Sequence, residues 1–265
     1  MKKKVLLLGS SGNIGLGFRE NYLKFYKRYY DLVLGTHKTK VKDKSFHTVN
    51  YSLNSINSLK KAMKGVDVVI NLAANPDPYA EFKDLVEPNL IGAYNVLEAA
   101  RLAKVKRVIY ASSVHTVKGY PEKHQLEESS APKPINVYGA TKSFGEALCS
   151  VFSNKYGLSC LAIRIGAYVS NDQKNIVCFS RSRYDYVITQ DDMSQLIHRC
   201  IIAPARVKYA ILAGISDNKV KRFDLIHTKR LIGYVPKDDY YETCRIVKKE
   251  LRIKEKRKKK WKLDL

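Results

Sequence analysis

The sequence predicts an α/β protein with a doubly wound parallel sheet and a small C-terminal lobe over the ligand crevice. Two observations carry this prediction. Short, continuously apolar runs alternate with segments of helical periodicity along residues 4–165, and strands without a polar face are typical of a parallel sheet covered by helices on both sides. In addition, each parallel crossover needs a connection long enough for a helix.

The predicted elements follow one another in regular order. Apolar runs predict strands at 4–8, 31–35, 46–51, 66–72, 107–112 and 158–165. Helical spacing predicts helices at 16–30, 55–63, 81–103 and 138–156. Beyond residue 166 the pattern loosens, with a helix predicted at 191–202, a short strand at 209–212 and a helix at 223–231. We therefore expect a main domain over residues 1–168, a small capping lobe over 169–248, and a basic tail over 249–265.

Length and composition exclude several classes of protein. The 265 residues are 45% hydrophobic and 28% charged, which describes a globular protein. No apolar run reaches the roughly 18 residues of a membrane-spanning helix, and Gly9 interrupts the first run before it forms a signal-peptide core. We therefore expect a cytoplasmic protein. The five cysteines are widely spaced, so the sequence indicates neither a disulfide framework nor a metal site.

The formal net charge of +23 raises the hypothesis of a nucleic-acid partner. Lysine is spread along the chain, however, and the one dense block is the C-terminal tail, with no nucleic-acid motif beside it. We expect no nucleic-acid partner and no membrane. A weak polyanion contact by the tail is the alternative to a solvated end.

A glycine turn lies between the first strand and the first helix. Gly9, Gly12 and Gly15 have the spacing G-x-x-G-x-x-G, and Asn13 and Ile14 open the helix. Glycines at such a turn let the backbone approach a pyrophosphate, to which the helix N-terminus offers unpaired N–H groups. The sequence therefore predicts a dinucleotide site, and the main domain is a dinucleotide-binding Rossmann fold.

The end of the second strand is expected to select the cofactor. An acid there would bond the adenosine ribose of NAD, whereas basic residues accommodate the 2′-phosphate of NADP. The sequence gives Thr36, His37 and Lys38, without an acid. This favours NADP, although either NAD or NADP is compatible with the turn.

Tyr138 and Lys142 lie four residues apart, hence on one face of a predicted helix. A phenol is a poor base at neutral pH, but a nearby cation lowers its pKa, so Tyr138 can accept a hydroxyl proton as hydride leaves the same carbon. Lys142 can also hold the cofactor ribose. Ser113 ends a strand at the edge where parallel sheets bind ligands, and it would bond the reacting oxygen.

Together these motifs resemble the extended short-chain dehydrogenase/reductases, the NAD-dependent epimerase/dehydratase family. The resemblance covers roughly residues 3–235 and rests on the glycine turn, residues 71–74, 88–96 and 111–113, and the segment 138–142. It implies a catalytic set of Ser113, Tyr138 and Lys142, with Asn89 orienting the lysine or a water. It also implies cofactor contacts by Leu72, Ala73 and Ala74, and a homodimer formed through the two long helices.

Within that family the chain is most similar to uronate dehydrogenases and related sugar dehydrogenases, which oxidise an anomeric hydroxyl to a lactone. The similarity lies in residues 111–116, 138–146, 164–166 and 191–192. It departs at Val114, where those enzymes have asparagine, and at Thr36, where they have an acid. The resemblance implies that Arg181 or Arg183 supplies a cation for a substrate carboxylate.

Two further residues have open roles. His115 either donates to a sugar hydroxyl or is structural, and Asn75 either lines the crevice or belongs to a proline-rich turn. The leading hypothesis is an NAD(P)-dependent dehydrogenase acting on a carbinol carbon of a sugar or sugar acid. One alternative is a nucleotide-sugar epimerase that retains its NAD. Another, from a different class, is a nucleotide-sensing or nucleic-acid-binding protein on a Rossmann scaffold.

Overall fold

A parallel seven-stranded sheet forms the centre of the computed structural model, which describes residues 2–37, 39, 41, 43–172, 178 and 185–245. The strands are β1 (Lys3–Leu8), β2 (Tyr30–Thr36), β3 (His47–Asn50), β4 (Val68–Asn71), β5 (Arg107–Ser113), β6 (Ser159–Ile165) and β9 (Tyr209–Gly214). Their order in the sheet is β3-β2-β1-β4-β5-β6-β9. Two short strands, β7 (Ala167–Val169) and β8 (Val187–Thr189), pair separately. The predicted fold class is confirmed.

Helices cover both faces of this sheet. They are α1 (Asn13–Asn21), α2 (Ile56–Ala62), α3 (Phe82–Leu85), α4 (Gly92–Leu102), α5 (Val137–Tyr156), α6 (Gln190–Ile202) and α7 (Ile226–Ile232). Successive side chains of β1 enter two different cores: Val5 and Leu7 belong to one cluster, Leu6 and Leu8 to the other. Because alternate residues of a strand point to opposite faces, both faces of β1 are buried, which explains its continuous apolar run.

The helix predicted over 81–103 is divided. Between α3 and α4 lies a π-helical segment, Val86–Ile91, which contains Pro88. Proline has no backbone N–H and its ring crowds the carbonyl four residues earlier, so a regular α-helix cannot pass through it. The carbonyl of Asp84 instead accepts a hydrogen bond of 3.3 Å from the Asn75 side chain. A second π-helical segment, Tyr22–Tyr26, replaces the end of the helix predicted over 16–30.

Part of the segment predicted as a capping lobe belongs to the central body. Strand β9 pairs with β6 along the sheet edge, and α6 packs against α1. The sequence did not show this because β9 was visible only as a short isolated run. The pair β7 and β8 and the helix α7 lie outside the main sheet, and the division of the chain into two domains stays a prediction.

The structure joins Cys178 and Cys244 in a disulfide, so the expectation drawn from cysteine spacing was wrong for this pair. The two residues are 66 positions apart, and spacing alone does not reveal such a pairing. Cys149, Cys160 and Cys200 are free and buried. Within the described ranges no helix is long and apolar enough to span a bilayer, and no group of three metal-ligating side chains is assembled.

Candidate active site

A crevice of about 1140 Å³ opens beyond the carboxyl ends of the central strands. The glycine turn, the residues that follow β4, the end of β5 and the start of α5 line it. The predicted site residues that it brings together are Gly9, Gly12, Asn13, Ile14, Gly15, His37, Leu72, Ala73, Ala74, Asn75, Ser113, His115, Tyr138 and Lys142. Lys38, Arg181 and Arg183 lie outside the described residues.

The glycine turn is packed so tightly that two of its glycines have no room for a side chain. Gly9 has a φ of +76°, and a Cβ there would lie 2.7 Å from the Leu72 carbonyl carbon. A Cβ on Gly15 would lie 2.4 Å from the Gly9 oxygen. A Cβ on Gly12, in contrast, would meet nothing closer than the Gly9 oxygen at 3.5 Å. Among these three glycines, Gly12 is therefore the one whose lack of a side chain leaves open space in the crevice.

The turn is also held in place by hydrogen bonds. The Gly9 amide donates to the Tyr51 hydroxyl over 3.2 Å, and the Ser10 hydroxyl donates to the Gly35 carbonyl over 2.7 Å. Helix α1 starts directly after Gly12 without a side-chain cap and without an acid in its first turn. The first N–H groups of α1 have no intrahelical acceptor, so they face the crevice as donors for an anion. This donor set fits the pyrophosphate of a dinucleotide.

At the end of β2 the structure provides no carboxylate among the described lining residues. The Thr36 hydroxyl donates to the Asn50 side chain over 2.7 Å, so Thr36 is turned toward β3 and away from the crevice lining. The His37 ring lines the crevice and its Nδ1 lies 3.0 Å from the Tyr51 carbonyl oxygen. The sequence had included both residues in the cofactor site; in the structure His37 lines the crevice, whereas Thr36 is engaged in the sheet.

Ser113, Tyr138 and Lys142 meet at the middle of the crevice. The Ser113 hydroxyl neighbours the Tyr138 phenol and lowers its pKa by hydrogen bonding. The Lys142 ammonium donates to the Ala111 carbonyl over 3.0 Å and lies 5.5 Å from the centroid of the Tyr138 ring. Tyr138 and Lys142 are 8% and 3% exposed, so both polar groups act in a nearly dry environment.

Burial is the largest cause of the pKa shifts of Tyr138 and Lys142. It raises the pKa of Tyr138, and the hydrogen bond from Ser113 offsets part of that rise. It lowers the pKa of Lys142 to about 8. The sequence had led us to expect that Lys142 lowers the pKa of Tyr138; in the structure the ammonium lies over the ring, and desolvation is the larger effect. Tyr138 is therefore a neutral phenol at neutral pH in this state.

Asn89 holds the loop after β4 in place. Its side-chain oxygen accepts from the Asn75 amide over 2.8 Å, and its nitrogen donates to the Asn75 carbonyl over 3.1 Å and to the Thr141 hydroxyl over 3.2 Å. Thr141 precedes Lys142 on α5, so Asn89 joins the loop to α5. The Asn75 side chain lines the crevice; its oxygen accepts from the Asp77 amide within the same loop, and its nitrogen donates to the Asp84 carbonyl on α3.

His115 stands at the edge of the cluster. Its ring is 5.6 Å from the Tyr138 ring in an edge-to-face arrangement. The Asn136 side chain accepts from the Gly139 amide, which caps α5, so its nitrogen is left to donate to His115 Nδ1 over 2.9 Å. With Nδ1 as acceptor, a neutral His115 carries its proton on Nε2. We missed Asn136 in the sequence, although an asparagine directly before a helix is a cap signal.

A buried ion pair supports β5 from the side opposite the crevice. Arg164 and Glu146 join at 2.9 Å, with side chains 1% and 3% exposed. The Ser112 hydroxyl donates to the same Glu146 carboxylate, and Arg164 also donates to the Ser130 carbonyl. Consecutive side chains of a strand point to opposite faces of the sheet. Ser112 therefore anchors β5 to Glu146, whereas Ser113 belongs to the site.

The sheet order, the glycine turn and the Ser/Tyr/Lys cluster define a dinucleotide-binding protein of the short-chain dehydrogenase/reductase type. Residues 5–190 match the NAD dependent epimerase/dehydratase family. The chain belongs to that family.

Several characterised proteins are similar to this chain. The uronate dehydrogenase of Pseudomonas putida is 31% identical over 89% of this chain and 84% of its own length. The L-arabinose 1-dehydrogenase (NAD(P)(+)) of Haloferax volcanii is 28% identical over 89% and 97%. The crystal structure of the glucuronic acid dehydrogenase from Chromohalobacter salexigens has a TM-score of 0.82 at 25% identity, over 94% of this chain and 90% of that one.

Proposed function

We propose that the protein is an NAD(P)-dependent oxidoreductase that removes hydride from a carbinol carbon of a sugar or sugar acid. The observation that carries the proposal is that Ser113, Tyr138 and Lys142 line the same crevice as the glycine turn. The relatives named for the dehydrogenation of uronates and L-arabinose support the substrate class.

In this proposal each residue of the cluster has a distinct role. When bound, the oxidised nicotinamide cofactor supplies the hydride acceptor. Tyr138 acts as the base in its phenolate form, which takes the proton of the substrate hydroxyl and becomes the neutral phenol, and Ser113 donates a hydrogen bond to the same substrate oxygen. Lys142 holds the cofactor ribose, while Asn89 keeps the loop after β4 joined to α5 through Thr141. His115 offers Nε2–H to a second sugar hydroxyl.

For the cofactor we propose a preference for NADP over NAD. The end of β2 has Thr36 bonded to Asn50 and His37 facing the crevice, so no described carboxylate is placed to bond a ribose 2′-hydroxyl or to repel a 2′-phosphate. Lys38 follows directly in the sequence. The similar arabinose dehydrogenase is named for both cofactors.

We also propose a homodimer formed through α4 and α5. These helices expose Tyr94, Phe144 and Val151, at 44%, 40% and 50%. A second copy of the same surface would cover them. The segment outside the main sheet, with β7, β8 and α7, is proposed to cap the substrate.

The test is a panel of hexuronates, neutral aldoses and sugar phosphates, each mixed with NAD or NADP while cofactor reduction is followed by absorbance. We expect net reduction with at least one sugar. Tight, stoichiometric cofactor retention with isomerised sugar and no net reduction would instead establish the epimerase. Cofactor binding without either product would contradict the proposal.

A further inference from the structure

The ring of Tyr110 lies against the ammonium group of Lys142, where α5 packs on β5. The Lys142 nitrogen is 5.5 Å from the centroid of the Tyr110 ring and also 5.5 Å from that of the Tyr138 ring, over the face of each. We propose that Tyr110 is a positioning residue whose ring face holds the Lys142 ammonium beside Tyr138 and keeps it protonated. This inference rests on the proposed function, in which Lys142 holds the cofactor ribose.

Local packing fixes the Tyr110 ring in this position. Tyr110 is buried, in the core that α5 shares with the sheet. A Cβ on Gly145 would lie 2.1 Å from the Tyr110 hydroxyl oxygen, so the missing side chain of Gly145 makes room for the end of the ring. Gly145 follows Lys142 by three positions, which places both residues on one face of the helix. The ring is therefore held with its hydroxyl against Gly145 and its face toward Lys142.

The Lys142 ammonium has few other partners in the described part of the chain. It carries three N–H donors, and its hydrogen bond there is the one to the Ala111 carbonyl. Glu146, one turn later on α5, is bonded to Arg164 and to the Ser112 hydroxyl instead. A buried cation without a carboxylate costs free energy, and the electron density of an aromatic face lowers that cost. The rings therefore stabilise a charge that no described ion pair neutralises.

The ring of Tyr110, and not its hydroxyl, makes the contact with Lys142. The hydroxyl is buried and forms no hydrogen bond with any residue that the structure describes. A buried hydroxyl without a partner lowers stability. Burial also raises the pKa of Tyr110 well above its ordinary value, so the phenol stays neutral when Lys142 titrates. The role therefore belongs to the ring, and phenylalanine should preserve it.

Other titratable and charged groups lie on the elements around Lys142. They are Tyr138, Glu146 and Cys149 on α5, Arg164 on β6, His115 and Lys118 after β5, and Lys83, Asp84 and Glu87 after β4. Burial, rather than any of these charges, lowers the pKa of Lys142 to about 8. A change in the electron density of the ring beside the ammonium should therefore act directly on the pKa of Lys142.

The test compares rings of the same shape but different charge distribution. Tyr110→Phe keeps the electron-rich face, whereas a ring-fluorinated phenylalanine at position 110 loses most of the negative charge of that face. The free energy of unfolding in urea is measured against pH without any ligand. It rises with pH once the folded protein has lost the Lys142 proton that the unfolded chain still holds.

We expect this rise to begin near pH 8 in wild type and in Tyr110→Phe. In the fluorinated variant it should begin roughly one pH unit lower, because a desolvated ammonium loses the stabilisation by the ring. With sugar and cofactor present, the pH above which kcat falls should decrease by about the same amount, at an unchanged KM for the sugar.

The matched control is the same fluorinated phenylalanine at position 152. Phe152 is buried in the same core and lies about three turns further along α5 than Lys142. A merely structural effect of fluorine would appear at both positions, whereas the account expects the profile of wild type for the variant at position 152.

Four results would overturn the inference. They are an unchanged profile for the fluorinated ring at position 110, an equal shift for Tyr110→Phe, an equal shift for the fluorinated ring at position 152, and a wild type whose stability does not rise at alkaline pH. The unfolding profiles need no substrate. A protein that reduces no cofactor would therefore refute the proposed function, while the contact between Tyr110 and Lys142 is tested separately.

Discussion

Replacing the three glycines of the turn one at a time should separate folding from cofactor binding. In Gly15→Ala the new methyl would lie 2.4 Å from the Gly9 oxygen and 2.9 Å from Ser10 atoms. Overpacking of this kind typically costs about 1–3 kcal/mol. In Gly9→Ala a similar clash adds to a φ of +76°, which by itself costs about 1–2 kcal/mol in an L-residue.

Gly12→Ala should behave differently. Its φ of −76° suits any residue, and the nearest atom to the new Cβ is at 3.5 Å. The lost entropy of the unfolded chain favours alanine by about 0.4–1 kcal/mol, while the poorer helix N-cap costs a similar amount. The free energy of unfolding should therefore change by less than about 1 kcal/mol. The methyl occupies crevice space, so the cofactor Kd should rise by roughly tenfold or more, equivalent to about 1.4 kcal/mol.

Urea unfolding and calorimetric titration with NAD and NADP measure the two quantities separately. The reasoning predicts that Gly12→Ala is stable and binds poorly, whereas Gly15→Ala loses stability. It is refuted if Gly12→Ala binds both cofactors as wild type does, or if it unfolds as readily as Gly15→Ala.

Three further predictions concern the surroundings of the site. Glu146→Ala should lower the free energy of unfolding in urea by about 3–5 kcal/mol, because it leaves Arg164 charged and buried without a partner; a loss below 1 kcal/mol would argue against this role. Because burial lowers the pKa of Lys142 to about 8 from 10.5, the folded protein releases that proton first, so stability should rise by roughly 3 kcal/mol between those pH values. The Lys142→Met variant should lack this rise in stability at alkaline pH. Identical profiles of stability against pH for wild type and Lys142→Met would contradict the role given to Lys142. His37→Asp, which puts a carboxylate on the crevice lining at the end of β2, should shift the ratio of NADP to NAD efficiency at least tenfold toward NAD, and an unchanged ratio would show that the end of β2 does not select the cofactor.

Much of the fold could be predicted because each signal was local. The apolar run of β1 is buried on both faces, and the glycine turn follows it directly, so strand, turn and helix were visible within a few residues. Ser113, Tyr138 and Lys142 were also predicted together, because the carboxyl ends of parallel strands lie at one edge of the sheet.

What the sequence did not reveal depends on contacts between distant segments. In the sequence, Glu146 is one acidic residue of a predicted helix and Arg164 one basic residue of a predicted strand. Their burial as an ion pair follows from the packing of α5 on β5 and β6. Tyr51 supports Gly9 across 42 positions, and no motif marks it. The pKa of Tyr138 was misjudged because the sequence gives the distance between Tyr138 and Lys142 along the helix but not their desolvation.

The central claim is that Tyr138 removes a proton while hydride leaves a sugar carbon in this crevice. The most direct measurement uses a sugar oxidised by wild type and deuterated at the carbon that is oxidised, with the reduced cofactor analysed by mass spectrometry. The account predicts deuterium in the reduced cofactor from wild type, and a rate from Tyr138→Phe at least a hundredfold lower at unchanged cofactor affinity, within the usual range for a lost acid–base group. Undeuterated reduced cofactor, or a Tyr138→Phe enzyme as fast as wild type, would contradict it.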